Sequence, residues 1–77
     1  MTQGEWKHIF ARNLVDILNE RGMSQRQLAM DSGISTGMIS EYINEIRMPG
    51  LMAAINIAYA LDMDLADLVD FDERIEQ

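Results

Sequence analysis

Residues 24–44, SQRQLAMDSGISTGMISEYIN, decide the fold of this 77-residue chain. Ser24 followed three residues later by Gln27 is a capping box that begins a helix, and Ser35 is a favourable N-cap for a second helix. Gly33 lies between them and supplies the positive φ that a tight turn needs. The segment therefore predicts two short helices, the second with a polar outer face. This is the layout of a helix-turn-helix unit, which can place its second helix in a DNA groove.

The segment before this unit predicts one longer helix. Thr2 and Glu5 form a capping box at its start, and Gly22 occupies the position where glycine often ends a helix. Between these signals, apolar residues recur at helical spacing and form one stripe: Trp6, Ile9, Phe10, Leu14, Ile17 and Leu18.

The segment after the unit predicts two more short helices. Helix 3 ends near Asn44, Met48-Pro49-Gly50 breaks the chain and opens helix 4, and Asp64 caps helix 5. The expected apolar face of helix 2 is Leu28 and Ala29, with Met30 as a third candidate, and that of helix 3 is Ile39, Tyr42 and Ile43. In helix 4 it is Leu51, Ala54, Ile55, Ala58 and Leu61, and in helix 5 it is Leu65, Leu68 and Val69. The sequence thus predicts one all-α domain of five short helices, with a core at about residues 5–69 and an acidic tail at 70–77.

Charge is unevenly distributed along the chain. The formal net charge is −7, which at first sight argues against DNA binding. Residues 62–77 hold seven acids against one base, whereas residues 1–61 hold six acids against five bases. The acidity therefore belongs to the C-terminal end, and the helix-turn-helix unit lies in the nearly neutral part.

Several classes of function are disfavoured by composition. The chain has no cysteine and a single histidine, His8, so we expect no disulfide, no metal and no cofactor. Neither a nucleophile–base pair nor a glycine-rich phosphate loop is evident, so we expect no enzymatic activity. No apolar run reaches membrane-spanning length and the N-terminus has no signal-peptide pattern. We therefore expect a cytoplasmic protein that makes no contact with membranes.

A series of residues occurs in the order and at the intervals typical of one regulator family: Gly22-Met23-Ser24-Gln25, Leu28-Ala29, Gly33-Ile34-Ser35, Ile39-Ser40, Asn44, Pro49, Ile57-Ala58, Ala60-Leu61 and Asp67-Leu68. Over roughly residues 8–69, the chain resembles the Cro/repressor family of phage and bacterial helix-turn-helix regulators, the XRE-like group. The resemblance implies a lambda-repressor-like DNA-binding domain in which helices 2 and 3 form the helix-turn-helix.

The resemblance also implies which residues contact DNA. The residues that would lie along the major groove, here called the reading face, are Thr36, Gly37, Ser40 and Glu41. Gln25 at the start of helix 2 and Asn44 at the end of helix 3 would contact phosphates. Arg47, in the loop that follows, would reach a phosphate or a base edge.

The chemistry of these side chains fits a DNA interface. Thr36 can offer its methyl group to thymine, and Glu41 can accept a hydrogen bond from the N4 amine of cytosine. The helix N-terminus at Ser35 adds amide donors for phosphate. Among the few cations, Arg26 and Arg47 are the best placed for backbone contacts.

The chain departs from the family pattern in four places. The loop after helix 3 has one cation where the family is often basic, and Gly37 replaces a longer base-reading side chain. Glu45 stands where glycine is common, so a left-handed turn there is strained or shifts to Asn44. Leu18 and Ile43 stand where many members pair an arginine with a glutamate, and their joint change avoids an unpaired buried charge.

The leading hypothesis is a repressor of a phage, prophage or bacterial operon. It would bind a palindromic operator in double-stranded DNA as a homodimer, with half-sites about one helical turn apart. The dimer interface is expected on helix 5 and the end of helix 4, and the residues that suggest it are Leu65, Leu68, Val69 and Phe71.

Two alternatives remain open. An antitoxin of the same fold would bind DNA and also neutralise a toxin, and the acidic end at residues 62–77 would suit a basic protein partner. A protein–protein module or DNA mimic that has lost DNA binding would explain the low cation count and Glu45. The chain is either a complete small regulator or the N-terminal part of a larger repressor.

Overall fold

The computed structural model describes residues 2–69, which form five α-helices. They are α1 (Gln3–Arg21), α2 (Gln25–Ser32), α3 (Thr36–Ile43), α4 (Leu51–Ala60) and α5 (Leu65–Val69). No strand occurs in this part of the chain. The prediction of an all-α fold with five helices is confirmed, whereas the expected acidic tail at 70–77 lies outside the described residues.

Side-chain caps fix where the first two helices begin. The Thr2 hydroxyl accepts a hydrogen bond from the Glu5 amide at 3.2 Å, and the Thr2 amide donates to the Glu5 carboxylate at 3.0 Å, so the predicted capping box is present. The Ser24 hydroxyl accepts from the Gln27 amide at 3.0 Å. The Gln27 side chain does not return this bond, because it donates at 2.8 Å to the carboxylate of Asp31 one turn later. The second predicted box is therefore only half formed.

One core joins all five helices. α1 packs against α3 and α5, α2 packs against α3 and α4, and α4 packs against α5. Within residues 2–69 no polar or charged residue is buried. Leu18 is buried in this core and Ile43 packs against it, in place of the charged pair of many family members. The buried cluster consists of Phe10, Leu14, Leu18, Leu28, Ala29, Ile39, Tyr42, Ala54, Ile57, Ala58, Leu61 and Leu68.

The structure corrects the predicted core at three apolar positions. Met30, Leu51 and Ile55 are exposed, with 69%, 68% and 39% of their residue surface accessible to solvent. In α4, Ile57 is fully buried instead. The α4 sequence LMAAINIAYA is apolar around most of its circumference, so periodicity alone did not fix the buried face. Packing against α2 and α5 selects the stripe Ala54, Ile57, Ala58 and Leu61.

Two side chains of α1 hold the C-terminal helices in place. Asn13 Nδ2 donates at 2.9 Å to the Leu68 carbonyl in α5. The Arg21 guanidinium donates to the Leu61 carbonyl, at the end of α4. Both carbonyls lie near helix ends, where backbone acceptors lack a partner within the helix. The long first helix thus fixes α4 and α5 relative to α3.

No helix within residues 2–69 is long and apolar enough to cross a membrane. The same part of the chain contains no cluster of three His, Cys, Asp or Glu side chains that could hold a metal ion.

Candidate nucleic-acid interface

The turn between α2 and α3 sets the direction of α3. Gly33 ends α2 with a φ of 74°, and its amide donates to the Ala29 carbonyl at 3.0 Å. Ser35 then caps α3, because its hydroxyl accepts from the Met38 amide at 3.2 Å. Both signals were predicted from the sequence. Together they give the two helices of the unit a defined crossing rather than one continuous helix.

The reading face lies on the solvent side of α3. Ile39 and Tyr42 are buried on the opposite side, and the Tyr42 ring packs edge-on against Phe10 of α1 with centroids 6.5 Å apart. Thr36 and Gly37 are exposed, and Ser40 and Glu41 are partly exposed. The structure therefore brings together the four residues predicted to face the major groove.

Gly37 leaves open space at the start of this face. A Cβ atom built there would meet nothing within 4 Å, and the backbone does not have a positive φ. Neither packing nor backbone conformation therefore requires glycine at this position. A glycine on a binding face allows another molecule's backbone to approach closely.

Ser40 and Asn44 are linked at the end of α3. Asn44 Nδ2 donates to the Ser40 carbonyl at 2.9 Å and to the Ser40 hydroxyl at 3.2 Å. The amide hydrogens of Asn44 are thus directed back at the helix. A phosphate contact through the Asn44 side chain would require this amide to turn outward.

Glu41 and Arg47 form an ion pair beside Ser40. Arg47 Nε donates to Glu41 Oε1 at 2.7 Å. The hydrogen bond to the Glu41 side chain, together with the carboxylate's charge, raises the pKa of Arg47 above its usual value. The amides of Ile46 and Arg47 also donate to the Glu41 carbonyl, at 2.9 and 3.4 Å. The loop after α3 therefore folds back onto Glu41.

Glu45 has the left-handed backbone conformation, one of the two outcomes expected at this turn from the sequence. Its φ is 61°, whereas Asn44 has a φ of −88°, so the turn has not shifted to Asn44. The Glu45 carboxylate lies 3.0 Å from Nδ1 of His8, an exposed residue of α1. This contact joins the loop after α3 to the first helix.

The remaining predicted DNA contacts lie at the start of α2. Gln25 and Arg26 are its first two residues, directly after the Ser24 cap, and both are exposed. Arg12 is also exposed, whereas Arg21 is engaged with the Leu61 carbonyl. The cations available to a polyanion are therefore few and separated.

The residues predicted for the dimer interface are less exposed than that role requires. Leu68 is completely buried in the core of its own chain, so its side chain cannot reach a partner. Leu65 and Val69 are partly buried and pack against the same core. Phe71 lies outside the described residues. The apolar character of α5 is thus largely used within the monomer.

Sequence reasoning missed two contacts of this site. The Glu41–Arg47 pair spans six residues across a helix end, and the His8–Glu45 contact spans 37 residues. Neither separation matches the i, i+3 or i, i+4 spacing that identifies side-chain pairs on one helix. The packing of α1 against α3 brings His8 to Glu45.

Comparison with protein-family models matches residues 14–68, more than two thirds of the chain, to a family described as helix-turn-helix. The match contains α2 and α3 entirely and extends into α5. No curated protein and no solved structure matches the chain.

Proposed function

Since this chain belongs to the helix-turn-helix family of the Cro/repressor (XRE) type, we propose that it represses transcription by binding a palindromic operator as a homodimer. Membership of this family makes the chain a DNA-binding regulator. The family consists of DNA-binding regulatory domains and is not typically enzymatic. The repressor role, the operator and the dimer are the parts that we add.

The observation that carries the proposal is the small, polar and exposed reading face of α3. A B-DNA major groove is about 12 Å wide and admits one α-helix. Gly37 and Ser40 add little bulk to the exposed face of α3, and Thr36 offers a methyl group to base edges. Glu41 on the same face is paired with Arg47. A helix that enters a groove near a promoter blocks polymerase, which is the simplest form of repression.

Electrostatics support a dimer rather than a monomer. Arg12, Arg26 and Arg47 are exposed cations, which lie in α1, in α2 and in the loop after α3. If each protomer neutralises about two to four phosphates, the slope of log affinity against log salt is roughly −4 to −7 for a dimer. A single protomer would have only half of this electrostatic attraction, so two-fold symmetry on a palindrome provides the affinity that one copy lacks.

A second copy has a suitable surface on α4. This helix contains no charged residue, and an unpaired charge would oppose close packing of two acidic chains. Apart from Asn56, its large exposed side chains are apolar or aromatic: Leu51, Met52, Ile55 and Tyr59. We propose this outer face of α4, rather than Leu68, as the main part of the dimer interface.

Selection from randomised duplex DNA, followed by sequencing and repeated at two salt concentrations, tests the proposal. We expect enrichment of a palindromic motif with half-sites about one helical turn apart, and weaker binding at the higher salt. Absence of any enriched motif at low salt would contradict operator binding. A motif without two-fold symmetry would contradict the dimer alone.

A second candidate function is neutralisation of a basic protein partner, as in an antitoxin. The supporting observation is the acidic surface between α4 and α5, where Asp62, Asp64 and Asp67 are all exposed. Co-purification with a small basic protein from the native host would favour this function. Neutral variants at the three aspartates should then lose the partner while DNA binding is retained.

A further inference from the structure

Arg47 is held on the reading face by its own chain before any DNA is present. Its Nε is bonded to Glu41 Oε1 at 2.7 Å. Its backbone amide and that of Ile46 are bonded to the Glu41 carbonyl. The main chain therefore turns back at the end of α3 and places Arg47 level with Glu41 rather than farther along the loop.

The bond through Nε leaves the outer edge of the guanidinium open. Within residues 2–69, neither Nη1 nor Nη2 of Arg47 has a hydrogen bond, and the side chain is 57% exposed. These two nitrogens form the planar fork that binds guanine O6 and N7 in a bidentate manner. A carboxylate on Nε limits rotation of the guanidinium and fixes the direction of this fork.

We propose that Glu41 is a positioning residue, which directs the Nη edge of Arg47 at a guanine in each operator half-site. The inference rests on the proposed DNA-binding function and identifies the source of its specificity. It differs from a direct contact between Glu41 and cytosine, because Glu41 Oε1 already accepts a hydrogen bond from Arg47 Nε. Pre-orientation lowers the conformational entropy that arginine loses when it binds a base.

The charge of the pair is consistent with this division of roles. An isolated carboxylate on a DNA-facing helix is repelled by phosphates, whereas a paired carboxylate forms part of a neutral unit. The pairing raises the pKa of Arg47, and an arginine guanidinium in a protein is charged even without such a shift. The Glu41–Arg47 unit thus offers directed hydrogen-bond donors without adding net charge.

The test compares base preference at every operator position for the wild type, Glu41→Ala, Arg47→Ala and the double variant. Both side chains are partly or largely exposed, so the variants should fold. We expect Arg47→Ala to reduce the preference for one guanine by roughly 5- to 150-fold, the range of a bidentate contact. Glu41→Ala should weaken the preference at the same base pair, and the double variant should match Arg47→Ala.

Arg26→Ala is the matched control, since it removes the same charge from a residue assigned to phosphate. It should lower affinity for all sequences about equally and leave the base preferences intact. Glu41→Ala should also raise affinity for unrelated DNA, because it removes a negative charge from the interface.

Three results would overturn the inference. A guanine preference that survives Glu41→Ala undiminished would show that Arg47 needs no positioning. A preference that depends on Glu41 in the absence of Arg47 would show that Glu41 contacts a base directly. If base preference is unchanged at every base pair in both variants, Glu41 and Arg47 form only a surface ion pair without a role in specificity. If the wild type itself selects no motif, the proposed function fails first, which separates the two failures.

Discussion

At two positions on and beside the reading face, the residue type does not match the backbone conformation: Gly37 has an ordinary helical φ, and Glu45 has a positive φ. Gly37 has an ordinary helical conformation with open space around it, so its small size serves no purpose within the monomer. Glu45 has a φ of 61°, which L-residues other than Asn and Asp adopt at a cost of about 1–2 kcal/mol. Glycine at position 37 lowers the helix propensity of α3. Glu45 has a side chain at a position where glycine would be less strained.

The Gly37→Leu substitution should raise the stability of the folded chain and lower its affinity for DNA. Leucine favours a helix over glycine by up to about 1 kcal/mol, so we expect unfolding to require more denaturant. DNA affinity should fall, because the new side chain prevents close approach to the groove. Gly4→Leu is the matched control, since Gly4 is the second residue of α1 as Gly37 is of α3. A Gly37→Leu variant that binds DNA as well as Gly4→Leu does would contradict the close-approach role.

Glu45→Gly should stabilise the chain by about 1 kcal/mol relative to Glu45→Ala, because only glycine relieves the left-handed strain. Both variants lose the contact with His8, so their difference isolates the backbone. Urea unfolding of the two variants provides the measurement. Equal midpoints would show that the loop relaxes without strain when the carboxylate is absent.

Among the elements, α4 and α5 differ from expectation in which of their apolar side chains are buried. α5 was expected to offer its apolar side chains to a partner, but Leu68 is buried in the core beneath α1 and α4. α4 was expected to bury Leu51 and Ile55, but these residues are exposed. The reason is geometric: α4 packs on two neighbours along one stripe, and the rest of an almost wholly apolar helix remains outside.

Truncation at two isoleucines of α4 tests this register. Ile57 is fully buried and Ile55 is 39% exposed, two residues away in the same helix. Ile57→Ala should destabilise the chain by about 2–5 kcal/mol, enough to unfold much of a small domain. Ile55→Ala should change stability by about 0.5 kcal/mol or little more when measured on dilute, monomeric protein. Similar losses at both positions would contradict the observed face.

At the scale of the whole molecule, polar, apolar and acidic side chains are exposed on different parts of the surface. The reading face and Arg26 lie on the helix-turn-helix, the charge-free face lies on α4, and acidic side chains follow it at Asp62, Asp64 and Asp67. The proposed DNA contact and the proposed contact with a second copy thus lie on different surfaces of one small domain.

Tyr59→Glu should weaken self-association about tenfold or more while leaving monomer stability almost unchanged. Tyr59 is 88% exposed, so its replacement costs little in the monomer, but two introduced carboxylates would face each other across a two-fold interface. Sedimentation over a concentration series gives the dimer dissociation constant. Asn19→Glu, which adds the same charge to an exposed position of α1, is the control and should have no such effect.

The α4 interface would be refuted by unchanged association of Tyr59→Glu, or by a wild type that stays monomeric at high micromolar concentration both with and without operator DNA. The first result would direct attention to other surfaces for the dimer. The second would contradict two-fold binding itself.

The sequence by itself determined where helices begin and end, and which face of α3 is polar. These features depend on local chemistry: Thr2, Ser24 and Ser35 cap nearby amides, and Gly22 and Gly33 adopt a positive φ. Helical periodicity likewise identified the large buried residues of α1 and α3, because apolar residues recur there at helical spacing among polar ones, although it missed Ala11.

Only the tertiary structure decided the buried face of α4, the burial of Leu68 and the side-chain contacts of the loop after α3. In α4 the sequence offers several apolar stripes of similar merit, and packing against α2 and α5 chooses among them. Glu41 meets Arg47 because the chain reverses beyond the helix end, and Glu45 meets His8 because α1 packs against α3. Such contacts depend on where separate elements lie in space, which local spacing does not encode.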